Sequence, residues 1–350
     1  MSQLFSPVRL GAYDLPNRVV MAPMTRSRSP GGAPNALNAE YYAQRAGAGL
    51  IVTEGTSPAP EGMGYPWIPG LYAPEHVAGW RLVADAVHAR GGRVFVQLMH
   101  TGRVAHESLI GGRPPVAPSD LPLPGEMFTG TGMAPYSQPR ALTAEEIPGV
   151  IATYGRAATL AAEAGLDGVE VHGANGYLPS QFLAPNVNTR SDAWGGSIEK
   201  RARFLLEATD AAVAAIGPGR VGVRLSPGGT FNDIQDPDAA GTLAHVATEL
   251  AKRNLAYLHV MDTNPGWDVA GVARRHYPGT LILAGGYDRA RAEADLAAGR
   301  ADLIGFGTPF IANPDLPERL RRDAPLATPD KTTFYGGDAR GYTDYPTLAA

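Results

Sequence analysis

The stretch Gly168-Val-Glu-Val-His172-Gly-Ala-Asn175-Gly-Tyr177 places an imidazole, an amide and a phenol close together in the chain. An imidazole and an amide can donate hydrogen bonds, and a phenol can give up a proton, so the trio reads as two donors with an acid beside them. Val169 and Val171 give the segment the look of a short buried strand, and Gly173 and Gly176 turn the chain sharply where the polar groups begin. A strand ending in functional groups on a glycine-rich turn is the pattern of a catalytic corner in an α/β barrel.

Such a corner needs a scaffold, and one repeating unit supplies it. A helical pattern closes on Ala and Gly, turns tightly, and gives way to a short β-type run ending in Gly or a polar residue. The unit recurs at 46–54, 89–97, 164–172, 216–224, 251–260 and 298–305. Arg18-Val-Val-Met-Ala22 and Thr280-Leu-Ile-Leu-Ala284 bring the strand candidates to eight. Apolar strands alternating with amphipathic helices imply parallel βαβ units, and eight close most economically into a (β/α)8 TIM barrel. The expected fold class is therefore α/β, a single domain over 1–350.

Catalytic groups in this fold sit at the C-terminal ends of strands. Read in turn, those ends carry Pro23-Met24-Thr25, Gly55, Gln97 with His100, His172 to Tyr177, Arg224, Asp262, Gly285-Gly286 and Gly307-Thr308. The set has no paired carboxylates for glycoside hydrolysis, and no His-x-His or carboxylate cluster for a metal. Threonine, glutamine and arginine together suit a flat polar heterocycle. Glycine turns after the seventh and eighth strands are the usual barrel site for phosphate, bound by backbone N–H groups.

Composition narrows the chemistry. With no cysteine in 350 residues, disulfides, thiolate nucleophiles and iron–sulfur clusters are excluded. Lys200, Lys252 and Lys331 are the only lysines and none ends an apolar run, which argues against a Schiff-base aldolase. A net charge of -4 without a block of like charge suggests neither a nucleic-acid groove nor a membrane surface. Met1-Ser-Gln-Leu-Phe-Ser-Pro lacks basic and apolar signal regions, so a cytoplasmic location is the default expectation.

The helix over 78–90 shows one broad apolar face, with Gly91 as its stop. Thr143-Ala-Glu-Glu146 forms a capping box, and Ser197 and Asp288 are expected to cap later helices. Residues 1–16 precede the first strand and are expected to form a hairpin plugging the barrel bottom. The Pro/Gly-rich 102–142 is too long for an ordinary βα loop and reads as a lid after strand 3. The aromatic tail, 331–350, is expected to pack over a ligand. Met99, Met127 and Phe128 read as pocket or lid packing, and His100 and His106 as structural or lid residues.

Several long motifs, in order, resemble the old yellow enzyme family of FMN-dependent ene-reductases. They are Asn17 to Arg26; Gln97-Leu-Met-His-Thr-Gly-Arg103; Gly168 through Arg203, with Asn188-Thr-Arg-Ser-Asp and Arg201-Ala-Arg203; Phe310-Ile-Ala-Asn-Pro-Asp-Leu316; and Thr333-Phe-Tyr-Gly-Gly337. The resemblance spans Leu4 to about Leu348. It implies tightly bound, non-covalent FMN, NADPH or NADH as reductant, and an electron-poor alkene or nitro compound as substrate, in a monomer or homodimer.

The resemblance also implies residue roles. Pro23, Met24 and Thr25 border the flavin, with Thr25 on the O4 side, and Gly55 lies near the ring. Gln97 pairs with the pyrimidine edge and Arg224 faces N1 and O2. Gly285, Gly286, Gly307 and Thr308 hold the phosphate. His172 and Asn175 bind the activating group of the substrate, Tyr177 donates the proton, and Met99 and Tyr335 line the pocket. Hydride passes from flavin N5 to the β-carbon in a ping-pong cycle, and the His172–Asn175 pair stabilises the enolate charge. Many relatives have tryptophan at the Met99 position and arginine at the Thr308 position, so a wider pocket and more backbone-dependent phosphate binding are expected.

Each residue alone has a plainer reading. Gln97 and Thr25 serve equally well as strand-end hydrogen-bond groups, His172 as a core histidine, Tyr177 as packing, and the glycine pairs as ordinary turns. Arg224 on an apolar strand is harder to dismiss, since a buried guanidinium needs an acceptor. The joint arrangement favours the flavin reading over two alternatives: a nitroester or nitroaromatic reductase using the same site, and a flavin-free barrel lyase or isomerase acting on a phosphorylated substrate.

Overall fold

A computed structural model describes residues 2–348. The last two positions of the expected tail, 349 and 350, lie outside the described residues, as does residue 1. Eight parallel strands close into a barrel in chain order. They are β1 (Val19–Met21), β2 (Leu50–Val52), β3 (Val94–Leu98), β4 (Gly168–His172), β5 (Val221–Leu225), β6 (Tyr257–Met261), β7 (Leu281–Ala284) and β8 (Leu303–Phe306). Each is followed by a helix: α1 (Ala36–Gln44), α2 (Pro74–His88), α3 (Ile147–Glu163), α4 (Ile198–Ile216), α5 (Ala239–Ala251), α6 (Val269–His276), α7 (Arg289–Ala297) and α8 (Leu316–Arg322). The fold is the expected (β/α)8 barrel.

The period-two alternation of the strands divides the core into two sets. Val169 and Val171 of β4, Val221 and Val223 of β5, and Leu281 and Leu283 of β7 face outward and join the helix-packed cluster. Val20, Leu50, Val52, Phe95, Tyr257, Ile282 and Leu303 face inward and form a separate apolar layer low in the barrel. Leu10 and Leu15 belong to this inner layer. They come from the hairpin Val8–Leu10/Tyr13–Leu15, so the N-terminal segment does plug the bottom.

Two large rings fill the narrow interior because their neighbours are glycines. A Cβ at Gly222 would lie 2.3 Å from the Tyr257 ring, and one at Gly168 would lie 2.6 Å from the Phe95 ring. Above this apolar layer the inward positions turn polar, and that change of character sets the floor of the site.

Local signals were realised unevenly. The Thr143 box forms: the Thr143 amide donates to Glu146 Oε2 at 2.8 Å and the Glu146 amide to Thr143 Oγ1 at 3.3 Å. Asp288 Oδ1 accepts from the Arg291 amide at 2.8 Å, capping α7. Ser197 stands at the N-cap position of α4, but its side chain accepts no backbone amide there. The helix expected over 78–90 begins earlier, at Pro74, a residue preorganised for a first turn. Gly79 then falls inside the helix, where an added Cβ would meet Pro34 O at 2.3 Å; its role is close packing against the segment before α1.

The segment 102–142 carries a small hairpin, Glu126–Phe128 with Met133–Pro135, whose Phe128 and Met133 are exposed. Its base is held by two arginines. Buried Arg103 donates to Leu121 O, Asn232 O and Asp233 O, and Arg190 donates to Pro118 O and Leu142 O. The tail departs from expectation. Tyr342 is fully buried and stacks on Tyr41 with ring centroids 3.9 Å apart, so it belongs to the scaffold, and Tyr335 is left 70% exposed.

The Gly222–Tyr257 contact yields a stability test. Gly222→Ala should cost on the order of 1–3 kcal/mol through overpacking and lower the urea midpoint at unchanged slope. An unaltered midpoint would show that the Tyr257 ring has room to move aside.

Candidate active site

The upper inward layer is built by register. His172 pairs with Arg224 across β4 and β5, Glu170 pairs with Gln97 across β4 and β3, and Arg224 pairs with His259 across β5 and β6. Four strands thus aim their polar side chains at one space. Glu170 is fully buried; its Oε1 accepts from Gln97 Nε2 at 2.7 Å and its Oε2 from His259 Nδ1 at 2.8 Å. Burial alone would raise this carboxyl. The His259 N–H, the Arg224 charge and the Gln97 amide outweigh burial and hold it below the ordinary value. Burial also lowers His259, so the pair is a neutral imidazole donating to a carboxylate.

A carboxylate can only accept, and this fixes the Gln97 amide: Nε2 is committed to Glu170, and Oε1 remains to accept from something above. Arg224 is buried; its Nη2 lies 3.6 Å from Met261 Sδ, and its Nε has no hydrogen-bond partner among the described residues. Neither Glu170 nor His259 figured among the sequence candidates. The usable signal was a charged or imidazole residue in the middle of an apolar strand, on the inward parity.

His172 ends β4 and is buried. Its Nδ1 accepts the Ala174 amide at 3.3 Å, which assigns the proton of the neutral ring to Nε2. Burial, with Arg224 and His259 beside it, holds the ring well below the usual histidine range. His172 is therefore a neutral Nε2–H donor. Asn175 sits in the left-handed region (φ 57°), followed by Gly176 (φ 72°). The Asn175 amide N–H donates to Ser226 Oγ and its carbonyl accepts from Asn232 Nδ2, both at 2.8 Å. These two bonds fix the backbone, and the side-chain amide has no partner among the described residues.

Tyr177 packs edge-on to His172 with centroids 5.1 Å apart, and its hydroxyl lies 3.2 Å from that of Tyr65. Burial pushes the Tyr177 phenol up to about 12. Met99 is buried with Ile68, Val104, Leu123 and Tyr177, so it backs the phenol. An added Cβ at Gly55 would meet Met99 Sδ at 2.4 Å, which places Gly55 against Met99.

On the opposite side of the mouth, Pro23, Met24 and Thr25 are partly exposed within an otherwise buried run. Buried Glu54, just beyond β2, pins the two residues after Thr25: its Oε2 accepts the amides of Arg26 and Ser27, each at 3.0 Å. Gly307 lies against Met24, with an added Cβ 3.8 Å from Sδ. The amide N–H groups of Gly285, Gly286, Gly307 and Thr308 donate to no protein acceptor among the described residues. Arg291 donates to Gly285 O and to Asp262 Oδ2, both at 2.8 Å, and so sets a cation beside the first glycine turn. Among the described residues no group of three or more His, Asp or Glu side chains is arranged to hold a metal, and no helix is long and apolar enough to cross a membrane.

A closed barrel whose mouth joins a fixed amide acceptor, a guanidinium whose Nε has no partner among the described residues and unspent glycine amides to a donor–acid corner suits a nucleotide-type cofactor oxidoreductase. Residues 3–327 match the NADH:flavin oxidoreductase / NADH oxidase family. The chain is 40% identical to the flavin oxidoreductase hxnT of Emericella nidulans, covering 99% of this chain and 98% of the relative. It is 42% identical to 12-oxophytodienoate reductase 1 of Oryza sativa subsp. japonica, covering 99% and 93%. Among solved structures, morphinone reductase in complex with tetrahydroNAD superposes with a TM-score of 0.96 at 48% identity, covering 100% of this chain and 98% of that one. The old yellow enzyme homologue from Zymomonas mobilis gives 0.96 at 40%, covering 99% and 100%. The chain belongs to this NADH:flavin oxidoreductase family, the old yellow enzyme family, and is an FMN oxidoreductase with NAD(P)H as its reductant. The residues fit that cofactor: the buried Arg224 Nε lacks a partner among the described residues, and the Gln97 oxygen and the glycine amides are unspent.

The buried neutral histidines predict an acid limit on stability. His100, fully buried and pushed down to about 4, and His172 and His259, both lowered, bind protons more readily in the unfolded chain. Their contribution is complete above the unfolded value of about 6.5 and is lost as pH falls toward about 4, with His100 alone accounting for roughly 3 kcal/mol. The thermal midpoint should fall between pH 6.5 and 4.5, and less steeply in His100→Asn. Parallel pH slopes in the two proteins would count against this account of His100.

Proposed function

We propose that the protein is an ene-reductase, reducing C=C bonds conjugated to a carbonyl or nitro group at the expense of NAD(P)H. The observation that carries this reading is the pairing of a neutral, tautomer-fixed His172 with a buried, protonated Tyr177, their rings in edge contact at the β4 corner. The names of the relatives support it: they are reductases of the oxo compounds 12-oxophytodienoate and morphinone.

Bound FMN supplies a two-electron carrier between NAD(P)H and the alkene in one shared pocket. Pro23, Met24, Thr25, Gly55, Gln97 and Arg224 would hold its ring system, and Gly285, Gly286, Gly307 and Thr308 its phosphate. Arg224 brings a fixed positive charge to the cofactor edge, where reduction builds negative charge. His172 Nε2–H and the free Asn175 amide donate to the oxygen of the activating group and stabilise the charge that accumulates there as the β-carbon is reduced. A neutral imidazole suits this task, since it donates without giving up its proton. Tyr177 supplies the proton to the α-carbon; a phenol raised to about 12 stays protonated until a strongly basic carbon forms beside it. The 102–142 segment, anchored by Arg103 and Arg190, would act as the lid, and exposed Tyr335 lines the entrance.

The purified protein should be yellow, lose its colour with NADPH under anaerobic conditions, and regain it with 2-cyclohexenone. A colourless protein that cannot be loaded with FMN refutes the reading. Tyr177→Phe should slow reduction of weakly activated enones by on the order of 10²-fold. Its FMN should still be reduced by NADPH at the original rate, and nitro compounds should be affected less. Equal loss in every half-reaction removes Tyr177 from the donor role.

A further inference from the structure

Tyr177 is buried, and the one hydrogen bond its hydroxyl makes among the described residues is to Tyr65. A phenol that gives its proton to carbon is left as a buried phenolate. It must be recharged in each turnover. Its route cannot pass through His172, whose Nδ1 is spent on the Ala174 amide and whose ring stays neutral.

Tyr65 offers the other direction. The two rings meet edge to face, centroids 6.2 Å apart at 88°, with their hydroxyls 3.2 Å apart. Tyr65 is partly exposed as a residue, although its hydroxyl end is enclosed beside Tyr177. It forms part of the wall of a cavity of about 320 Å³ lined also by Gly31, Met63, Trp67, Ile110 and Arg113, on elements outside the barrel. The Asn232 side chain lies beside it, with its Nδ2 donating to the Asn175 carbonyl.

We infer that Tyr65 is the relay that returns a proton to Tyr177 from solvent in this cavity, rather than a wall residue of the pocket. This rests on the ene-reductase reading above. The Tyr177 O–H bond breaks as the α-carbon C–H bond forms. In the same step the Tyr65 O–H bond breaks and its proton passes to the Tyr177 oxygen, and a proton from bulk solvent, delivered through water in the cavity, restores Tyr65. No electrons move in these steps; both come from NAD(P)H. The Tyr65 hydrogen bond also lowers Tyr177 against the upward push of burial, so it makes the donor a stronger acid. The ionisable groups facing the pair are Tyr136, Tyr335 and Arg224, with Arg113 across the cavity. Tyr65 touches neither substrate nor cofactor in this scheme and acts only through Tyr177.

The test is a double-mutant cycle on FMN-loaded protein, following reoxidation of NADPH-reduced enzyme by 2-cyclohexenone in stopped flow. Tyr65→Phe should slow reoxidation about 10-fold while leaving FMN content and reduction by NADPH unchanged. Tyr177→Phe/Tyr65→Phe should be no slower than Tyr177→Phe, because a relay has nothing to serve once the donor is gone. In H2O/D2O mixtures the wild-type rate should depend on deuterium fraction with curvature, from two protons in flight, and the Tyr65→Phe rate linearly. Losses that multiply in the double variant, an unaltered Tyr65→Phe rate, or a linear wild-type inventory overturn the relay. The last needs no variant to fold. Protein that NADPH does not bleach, or that the enone does not reoxidise, removes the underlying reading and the relay with it.

Discussion

One buried carboxylate organises the interior. Glu170 lies fully buried inside the barrel, and a charge so placed persists only if it is hydrogen-bonded and balanced. Gln97 donates to it from the adjacent strand and His259 from the next strand but one, and Arg224 balances the charge from the strand between. Each of these partners must then sit on the inward parity of its strand, which fixes the phase of β3, β5 and β6 against β4. A one-residue slip would turn these charges unpaired against the helices and the valines into the polar interior at once. The network that holds the register is thus the one that orients the groups a cofactor meets.

Above it, the two sides of the mouth are stiffened by different means. The β4 corner relies on backbone geometry: Asn175 and Gly176 adopt left-handed conformations held by Ser226 and Asn232, freeing the Asn175 side chain. The β1 side relies on Glu54, which collects two successive amides just past Thr25. Both arrangements spend hydrogen bonds on backbone so that chemically useful side chains need spend none.

Much of this is legible in the chain itself. The eight strands announce themselves because each is a short apolar run, most of them beside a glycine turn, and in a barrel every such run has the same fate. The functional corner is legible because its residues are contiguous. Tyr65, Glu54, Glu170 and His259 are not, for two reasons. Tyr65 lies in irregular chain between Gly64 and Pro66, where no periodicity marks direction. The other three act through partners 12 to 89 positions away, a separation that only the closed barrel collapses. The tail defeats expectation because aromatic content says that residues will pack, without saying on what. Tyr342 found Tyr41 and the arginines instead of the mouth. Ser197 occupies a capping position without capping, a case where sequence preference named the place but not the bond.

The tail's true packing partner matters for how the mouth is held. Arg26, next to Thr25, donates to the Phe334, Thr333 and Gly341 carbonyls, and Arg28 donates to those of Asp338 and Thr333. The far end of the chain therefore works as a splint along the first strand's exit loop, held by guanidinium forks and stacked rings more than by oily contact. Splints of this kind detach as a unit, so amide exchange in 331–345 and in 23–28 should keep the same clock, one well separated from that of the barrel.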